Sequence, residues 1–208
     1  MDKEIESLRG RKANILDHER ASISAVLLPL VDYEGEMSVL FEKRSPMLRQ
    51  QPGEICFPGG RIEDTDDDHS AAACRETCEE LGLTAQDIDL IAPLDILISP
   101  FNAITYPFVG YIRDYRKIKI NHEEVEEIFC VPLCYLIENR PINKKMSVKV
   151  KAPDDFPFEL IPQGRQYPFR ESVYPQQFYL WKDYVIWGMT ARILTHFLRL
   201  IKNTSSSR

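Results

Sequence analysis

Three glutamates lie within five positions of one short segment of the chain. They are Glu76, Glu79 and Glu80. If the segment is helical, successive residues are about 100° apart around the axis, and the three carboxylates fall together on one side. Carboxylates grouped in this way suit hard divalent cations such as Mg²⁺ or Mn²⁺. The alternative interpretation is a solvated acidic helix face, which is what most charge runs are.

The residues around these glutamates predict the helix that must position them. Alanine, leucine, arginine and glutamate favour a helix over residues 70–81, and Gly82 suits the left-handed residue that ends a helix. Arg75 borders the acidic face, where it can hold a glutamate in one rotamer. Negative charge just upstream suits the helix N-terminus, and it comes from Asp66, Asp67 and Asp68. The face expected to pack is an apolar seam of Ala71, Cys74, Cys78 and Leu81.

This segment resembles the Nudix box, Gly-x5-Glu-x7-Arg-Glu-U-x-Glu-Glu-x-Gly-U, in which U is aliphatic. The residues that match in register are Arg75, Glu76, Glu79, Glu80, Gly82 and Leu83. Thr77 stands where an aliphatic residue is usual, and the loop after Gly60 is one residue longer than the pattern. Counting forward from Gly60 puts the first acid of the box at Asp66, whereas counting back from Arg75 puts it at Asp67. Both positions stay open.

A second signature precedes the box. The segment R-S-x3-R-x3-G-x3-F-P-G-G is similar to the extra motif of the coenzyme A diphosphatase subgroup of Nudix enzymes. Its fixed positions are Arg44, Ser45, Arg49, Gly53, Phe57, Pro58, Gly59 and Gly60. Guanidinium groups match phosphate oxygens bidentately, so the two arginines are candidates for substrate phosphates, although solvated surface arginines are the commoner case. The resemblance adds three glycines as substrate-binding candidates, which are Gly53, Gly59 and Gly60.

An acidic segment over residues 123–129 supplies two further candidate acids, Glu124 and Glu127. In Nudix folds, a segment of this kind often lies over the active site. The alternative is a solvated acidic turn.

Composition excludes several classes of protein. The net charge of −6 over 208 residues disfavours a nucleic-acid or membrane-surface binder. No apolar run approaches the length of a membrane span, and neither a signal peptide nor a peroxisomal Ser-Lys-Leu tail is visible, so a cytoplasmic location is expected. Four of the five cysteines form two C-x-x-x-C pairs, which do not have the usual zinc spacing, and reduced thiols are expected.

Hydrophobic patterning predicts the remaining elements. Strands are expected over residues 23–31 and 37–43 as a hairpin, and over 54–57, 88–98, 104–112, 117–120 and 178–181. An outer hairpin is expected between 146–150 and 156–161, and a long loop over 163–175. A short helix is expected over 131–137. A longer helix is expected over 186–200, because apolar residues recur there at helical spacing.

The resemblance implies an α/β (α+β) fold, the Nudix α/β/α sandwich, with a mixed β-sheet between the box helix and the C-terminal helix. One domain is expected over residues 1–208, with its core at about 22–200. Residues 1–20 would form an amphipathic helix or a mobile arm, and residues 203–208 a disordered tail. The aromatic stretch 139–181 offers a surface for a homodimer.

The implied activity is hydrolysis of the diphosphate of coenzyme A or acyl-CoA to 3′,5′-ADP and 4′-phosphopantetheine. Glu76, Glu79 and Glu80 would hold Mg²⁺ or Mn²⁺, and Glu79 or Glu80 would act as the base. Three alternatives remain: a Nudix hydrolase of ADP-ribose, a dinucleotide or a nucleoside triphosphate; a non-catalytic Nudix fold that senses a nucleotide; and an acidic metal-binding or adaptor protein.

Overall fold

The structure is a computed structural model that describes residues 3–205, with the backbone alone at residues 3, 4, 204 and 205. In this part of the chain the strands are β1 (Ser22–Tyr33), β2 (Glu36–Arg44), β3 (Ile55–Cys56), β4 (Gly59–Arg61), β5 (Ile88–Pro93), β6 (Leu97–Ser99), β7 (Ala103–Ile112), β8 (Val125–Pro132), β9 (Ile142–Val148), β10 (Ser172–Trp181) and β11 (Tyr184–Trp187). The helices are α1 (Lys3–Glu6), α2 (His69–Leu81), α3 (Leu133–Glu138) and α4 (Gly188–Ser205).

Eight strands, β1 to β8, form a mixed sheet whose central path runs β3-β2-β1-β7-β5. Strands β1 and β7 are parallel over ten residue pairs, and the other pairings in this sheet are antiparallel. Both β1 and β2 are buried on both faces because helices cover the sheet on each side, which explains their nearly continuous apolar sequence. The predicted hairpin of β1 and β2 is confirmed, and its turn residues Glu34 and Gly35 have positive φ, as tight hairpin turns require.

The layers form the predicted sandwich. On one face of the sheet, Leu27, Leu40 and Ala73 belong to a core that helix α2 closes. On the other face, Leu28, Phe41 and Leu194 belong to a second core that helices α3 and α4 close. The α/β/α arrangement expected from the sequence is therefore confirmed, and α2 is held between the sheet and solvent with one side available to a cavity.

A second sheet has the order β11-β10-β9 and was not predicted correctly. The expected hairpin between 146–150 and 156–161 is wrong: β9 pairs with β10, and Phe158–Leu160 is a 3-10 turn. Strands β9 and β10 are separated by residues 149–171, so the local hydrophobic pattern carries little information about their pairing. The expected strand over 117–120 is also wrong, since Tyr115–Lys117 is a 3-10 turn.

The predictions for the two ends of the chain need correction. A helix over residues 1–20 is wrong, because α1 ends at Glu6, and the apolar side chains of Leu8 and Leu16 are exposed rather than packed. At the other end, α4 continues through Asn203 to Ser205, so the expected disordered tail does not begin at 203. Residues 206–208 of that prediction lie outside the described residues.

Candidate active site

A cavity of about 730 Å³ opens beside helix α2. Its wall combines residues of β1, β3, β4, α2 and the segment before β8 with residues of β10, β11 and α4. Six site residues predicted from the sequence line it, and they are Arg44, Gly59, Gly60, Glu76, Glu80 and Glu124. The structure therefore brings the two sequence signatures to one place.

Helix α2 has the ends that its sequence predicts. The Asp68 side chain caps it by accepting hydrogen bonds from the backbone N–H groups of Ser70 and Ala71. Gly82 ends it at φ 62°, and a Cβ there would lie 2.3 Å from the Lys119 carbonyl oxygen. Glycine is therefore required at this position both by conformation and by space.

The buried face of α2 differs from the predicted seam. Leu81 is buried as expected, but Cys74 and Cys78 are only half-buried. The face is instead centred on Thr77 and Glu80, because the helix packs on β1 and β4 and also borders the cavity. The Thr77 hydroxyl donates to the Ala73 carbonyl at 2.7 Å, which satisfies a polar group where the family has an aliphatic residue.

Glu80 is the most deeply buried of the three box glutamates. The residue is 4% exposed, and its Oε2 accepts a hydrogen bond of 2.8 Å from the Gly59 N–H. Burial raises the pKa of the Glu80 carboxyl, and the negative charge of Glu42 raises it further. The helix therefore holds an acid in a place where a nearby positive charge would be strongly favourable.

Glu42 is a buried acid beside the site, and sequence reasoning missed it. It lies on β2 and is fully buried; the Cys56 thiol donates to its Oε1 at 3.2 Å, and its Oε2 has no hydrogen-bond partner among the described residues. Burial is also the main cause of its raised pKa. A signal was present, since strand alternation places Leu40, Glu42 and Arg44 on one face of a strand that reads as buried.

Gly60 makes room for Glu76. A Cβ at position 60 would lie 2.4 Å from the Glu76 carboxylate, so no other residue fits without moving that group. Glu76 is partly buried, and burial raises the pKa of its carboxyl, while Arg75 opposes the rise. The glycine of the box thus leaves the space that a cavity carboxylate occupies.

Arg75 organises the outer side of the helix. Its Nε and Nη2 donate to the two carboxylate oxygens of Asp66 at 2.9 and 3.1 Å, and its Nη1 reaches Glu76 at 3.1 Å and Glu79 at 3.3 Å. Asp66 is therefore the acid that pairs with the box arginine, while Asp67 is exposed. This pairing favours Asp66 over Asp67 for the position that the sequence left open.

Glu79 does not line the cavity. Its side chain is 54% exposed, and its contact with Arg75 is one turn along the helix. The three glutamates, which share one side in helical projection, are thus divided into two that line the cavity and one that faces solvent. Glu76 and Glu80 carry the stronger case for ligands.

The residues of the arginine signature also differ in whether they line the cavity. Arg44 lines the cavity, and its Nε is buried with no hydrogen-bond partner among the described residues. Arg49 is exposed and lies between two cavity-lining residues, Leu48 and Gln50. Gly53 has φ 72° and donates its N–H to the Arg44 carbonyl at 3.1 Å, so it shapes the loop rather than lining the cavity.

The two candidate acids near β8 also lie in different surroundings: Glu124 precedes the strand and Glu127 is part of it. Glu124 lines the cavity, and its carbonyl accepts from the Ser45 N–H at 2.8 Å, which ties it to the arginine loop. Glu127 instead contacts Lys43 at 3.5 Å and accepts from the Tyr184 hydroxyl at 3.1 Å. Only Glu124 stays a candidate for chemistry.

Among residues 3–205, no three His, Cys, Asp or Glu side chains are already arranged as a metal site. The donor set nevertheless suits Mg²⁺ or Mn²⁺, which prefer carboxylate oxygens. Glu76, Glu80 and Glu124 line the same cavity, and the negative charges of Glu76 and Glu124 both raise the pKa of Glu80. A divalent cation would offset this repulsion.

The far wall of the cavity was not foreseen from the sequence. It includes Tyr174, Gln176, Trp187 and Met189, which come from β10, β11 and α4. These residues belong to the stretch predicted as loop and dimer surface, or to the helix predicted only to pack. Their role depends on the second sheet, which the local sequence pattern did not reveal.

None of the helices within residues 3–205 is both long enough and apolar enough to cross a membrane.

The chain is similar to known proteins in family, sequence and fold. Residues 21–148 match the model of the NUDIX domain. Nudix hydrolase 3 of Caenorhabditis elegans is 33% identical over 193 residues, which cover 90% of this chain and 76% of that protein. Peroxisomal coenzyme A diphosphatase NUDT7 of Mus musculus is 34% identical over 132 residues, or 62% of this chain and 56% of that protein.

A solved structure agrees at the level of the fold. The MutT/nudix family protein from Enterococcus faecalis covers 97% of this chain and 75% of its own, with a TM-score of 0.54 and 13% identity. The family model matches more than half of the chain, and two of the three box glutamates, Glu76 and Glu80, line one cavity. The chain therefore belongs to the Nudix family.

Proposed function

We propose that the protein hydrolyses the diphosphate of coenzyme A or acyl-CoA, releasing 3′,5′-ADP and 4′-phosphopantetheine or its acyl form. The observation that carries this proposal is the position of Arg44. The first arginine of the coenzyme A signature lines the same cavity as Glu76 and Glu80. A cation with an unpartnered, buried Nε suits a phosphate oxygen better than it suits packing.

Two further facts support the substrate class. The mouse relative, matched over 132 residues, is named a coenzyme A diphosphatase. In addition, the exposed Arg49 lies next to cavity-lining residues, where it can meet a phosphate that extends out of the cavity. Coenzyme A carries such a phosphate on its ribose in addition to its diphosphate.

The reaction adds water across the P–O–P bridge. A new O–P bond forms at one phosphorus, the bridging P–O bond breaks, and the water proton passes to a base. Glu80 is the proposed base or ligand at the reacting phosphorus, Glu76 is a ligand, and Glu124 is the further acid of the same cavity. When bound, Mg²⁺ or Mn²⁺ would neutralise phosphate charge and lower the pKa of a water.

Arg75 and Glu79 take supporting roles in this proposal. Arg75 positions Glu76 through its Nη1 and is itself fixed by Asp66. Glu79 reaches the same guanidinium and completes the box on the solvent side. It supplies a ligand only if its side chain turns toward the cavity.

A direct incubation tests the proposed function. The purified protein is given coenzyme A with Mg²⁺, with Mn²⁺ or with EDTA, and the products are resolved by mass; ADP-ribose is assayed in parallel. We expect 3′,5′-ADP and 4′-phosphopantetheine with either metal and no turnover in EDTA. Absence of coenzyme A turnover beside good turnover of ADP-ribose would overturn the substrate assignment.

Location and assembly complete the proposal. The proposed location is the cytoplasm. The proposed partner is a small molecule, with no nucleic acid or membrane bound. A homodimer through residues 139–181 is proposed as well. Fractionation of cells that express the protein and light scattering of the purified chain test these two points.

A further inference from the structure

The cavity has a second wall that differs in chemistry from the carboxylate wall. It is built by the aromatic and apolar side chains of Phe101, Tyr174, Trp187, Met189 and Ile193. All but Phe101 lie beyond residue 148, where the match to the family domain ends. We call these residues, together with Gln176, the aromatic wall.

The aromatic wall is held in place by its own contacts. The rings of Phe101 and Tyr174 meet edge to face, with centroids 5.6 Å apart, and Arg192 donates to the Tyr174 hydroxyl at 2.9 Å. Thr190 at the start of α4 donates to the Ile55 carbonyl of β3 at 3.2 Å, which ties this wall to the main sheet. Trp187 is 40% exposed and Phe101 more so. Exposed aromatic rings on a fixed cavity wall suit an apolar ligand group.

Gln176 is the polar group in this wall that lacks a partner. It lies on β10, is 7% exposed and lines the cavity, and its Oε1 has no hydrogen-bond partner among the described residues. Strand alternation places it on the same face as Tyr174. By contrast, the hydroxyls of two other lining residues, Ser24 and Thr105, bond each other at 3.2 Å.

A buried acceptor without a donor is costly, and native proteins rarely keep one unless a ligand or water satisfies it. The ligand group that meets Gln176 must therefore donate a hydrogen bond. It must also carry apolar carbons for the rings beside it. An anionic group is a poorer fit here, because the cation that contacts this wall, Arg192, is engaged with Tyr174 in two ways, by a hydrogen bond and by lying 5.0 Å over its ring.

We infer that the aromatic wall is the subsite for the pantetheine arm, and that Gln176 accepts a hydrogen bond from an amide N–H of that arm. The inference rests on the proposed function, since it assigns the part of coenzyme A beyond the diphosphate. The arm has two amide N–H groups, and its dimethyl carbon and any acyl chain supply apolar surface. Trp187 and Phe101 cover those carbons. Gln176 is thus a specificity-determining residue that does not touch the reacting atoms.

Direct binding tests the inference without the need for turnover. Calorimetry measures the affinity of the purified protein for 4′-phosphopantetheine and for 3′,5′-ADP, in the presence of Mg²⁺. Gln176→Met removes the acceptor at nearly constant volume. We expect it to weaken binding of 4′-phosphopantetheine by about tenfold, and to leave binding of 3′,5′-ADP within about twofold.

Gln177→Met is the matched control. Gln177 is the next residue of β10, on the opposite face, and its Nε2 donates to Asn143 at 3.1 Å. This variant should change neither affinity. If Gln176→Met does not fold, as judged by its melting temperature, Trp187→Ala replaces it, and the same selective loss for 4′-phosphopantetheine is expected.

The two proposals fail in different ways. Equal weakening of both ligands by Gln176→Met, or unchanged binding of 4′-phosphopantetheine, would overturn the subsite even if the wild-type protein hydrolyses coenzyme A. A wild-type protein that binds 4′-phosphopantetheine and loses this binding selectively in the variant, yet does not cleave coenzyme A, would support the subsite and overturn the proposed function. Absence of both binding and turnover would overturn both.

Discussion

The two sides of helix α2 hold the same kind of group in opposite surroundings. On the outer side, Arg75 donates two hydrogen bonds to Asp66 and lowers the pKa of that carboxyl. On the cavity side, burial raises the pKa of Glu76 and Glu80. The outer carboxylates therefore stabilise the helix position, whereas ionisation of the cavity carboxylates has a cost that a cation can offset. Sequence spacing assigns all three glutamates to one face, but burial divides their roles.

Among variants on the two sides of α2, loss of the charge at position 80 should have the largest effect on activity. Glu80→Gln keeps an oxygen that can accept from the Gly59 N–H but removes the buried charge. We expect kcat for coenzyme A to fall by about 10²- to 10⁴-fold, the range for a missing general base. Steady-state kinetics at saturating Mg²⁺ measure it.

Glu79→Gln is the control for that experiment. Glu79 is exposed and outside the cavity, so a loss of less than about tenfold is expected, as for a partly solvated ion pair. Equal losses in the two variants would show that the division between the two sides of α2 does not govern catalysis.

Gly60→Ala should have the next largest effect on activity, because it disturbs a cavity carboxylate by a change at the backbone beside it. The added Cβ would lie 2.4 Å from the Glu76 carboxylate and must displace it. We expect activity to fall by about 10- to 100-fold, as for loss of a group that orients a metal ligand. The melting temperature of this variant should change little in comparison with its loss of activity.

Gly35→Ala is the contrasting glycine variant. Gly35 lies in the hairpin turn with positive φ and open space around it, so alanine there should lower the melting temperature without a matching loss of activity. If Gly60→Ala retains full activity, the account of Glu76 is wrong.

A smaller effect is expected from the outer side. Asp66→Asn weakens the two-pronged contact that fixes Arg75, so kcat should fall by about tenfold through misplacement of Glu76. Asp67→Asn, one residue further along the same loop and exposed, should stay within about twofold of the wild type. Kinetics of the pair decide the matter, and a larger loss at Asp67 would reassign the first acid of the box.

The smallest and most diagnostic effect is on stability as a function of pH, measured by thermal unfolding in EDTA. Asp66 has a lowered pKa in the folded state, so its contribution is present above its ordinary pKa of about 3.9 and is lost as the pH falls below that value. Asp66→Asn should therefore be less stable than the wild type at pH 7, and this difference should shrink below about pH 4.

Glu80 should show the opposite sign. Its folded pKa is raised, so its destabilising cost grows as the pH rises above the ordinary value of about 4.3. Glu80→Gln should match the wild type near pH 4 and exceed its melting temperature at pH 8. A Glu80→Gln protein less stable than the wild type at pH 8 would contradict the burial argument.

The parts of this site that could be predicted from the sequence are those set by local periodicity. The α2 helix, its Gly82 end and the β1–β2 hairpin depend on neighbours within a few residues, and all three are confirmed. The relation of Arg44 to the box was predicted through the spacing of a resembling motif. Local signals of this kind survive because helix and turn geometry are nearly independent of the rest of the chain.

Other parts could not be predicted because they depend on distant packing. The pairing of Arg75 with Asp66 rather than Asp67 follows from a loop path, and the burial of Glu80 follows from which face of α2 meets β1 and the cavity. Gln176 lies on a strand whose partner, β9, is separated from it by a long excursion, so its cavity position has no local signal. Glu42 is different, since its place in strand alternation was a usable signal.

The most direct test of the central claim is a competition between substrates in one tube. Equal concentrations of coenzyme A and ADP-ribose are given to the wild-type protein with Mg²⁺ in ¹⁸O-labelled water, and products are resolved by mass during the initial phase. The account predicts that 3′,5′-ADP and 4′-phosphopantetheine dominate, with one ¹⁸O on one of the two, and that Glu80→Gln forms neither at a comparable rate. Release of AMP and ribose 5-phosphate with coenzyme A left intact would contradict it.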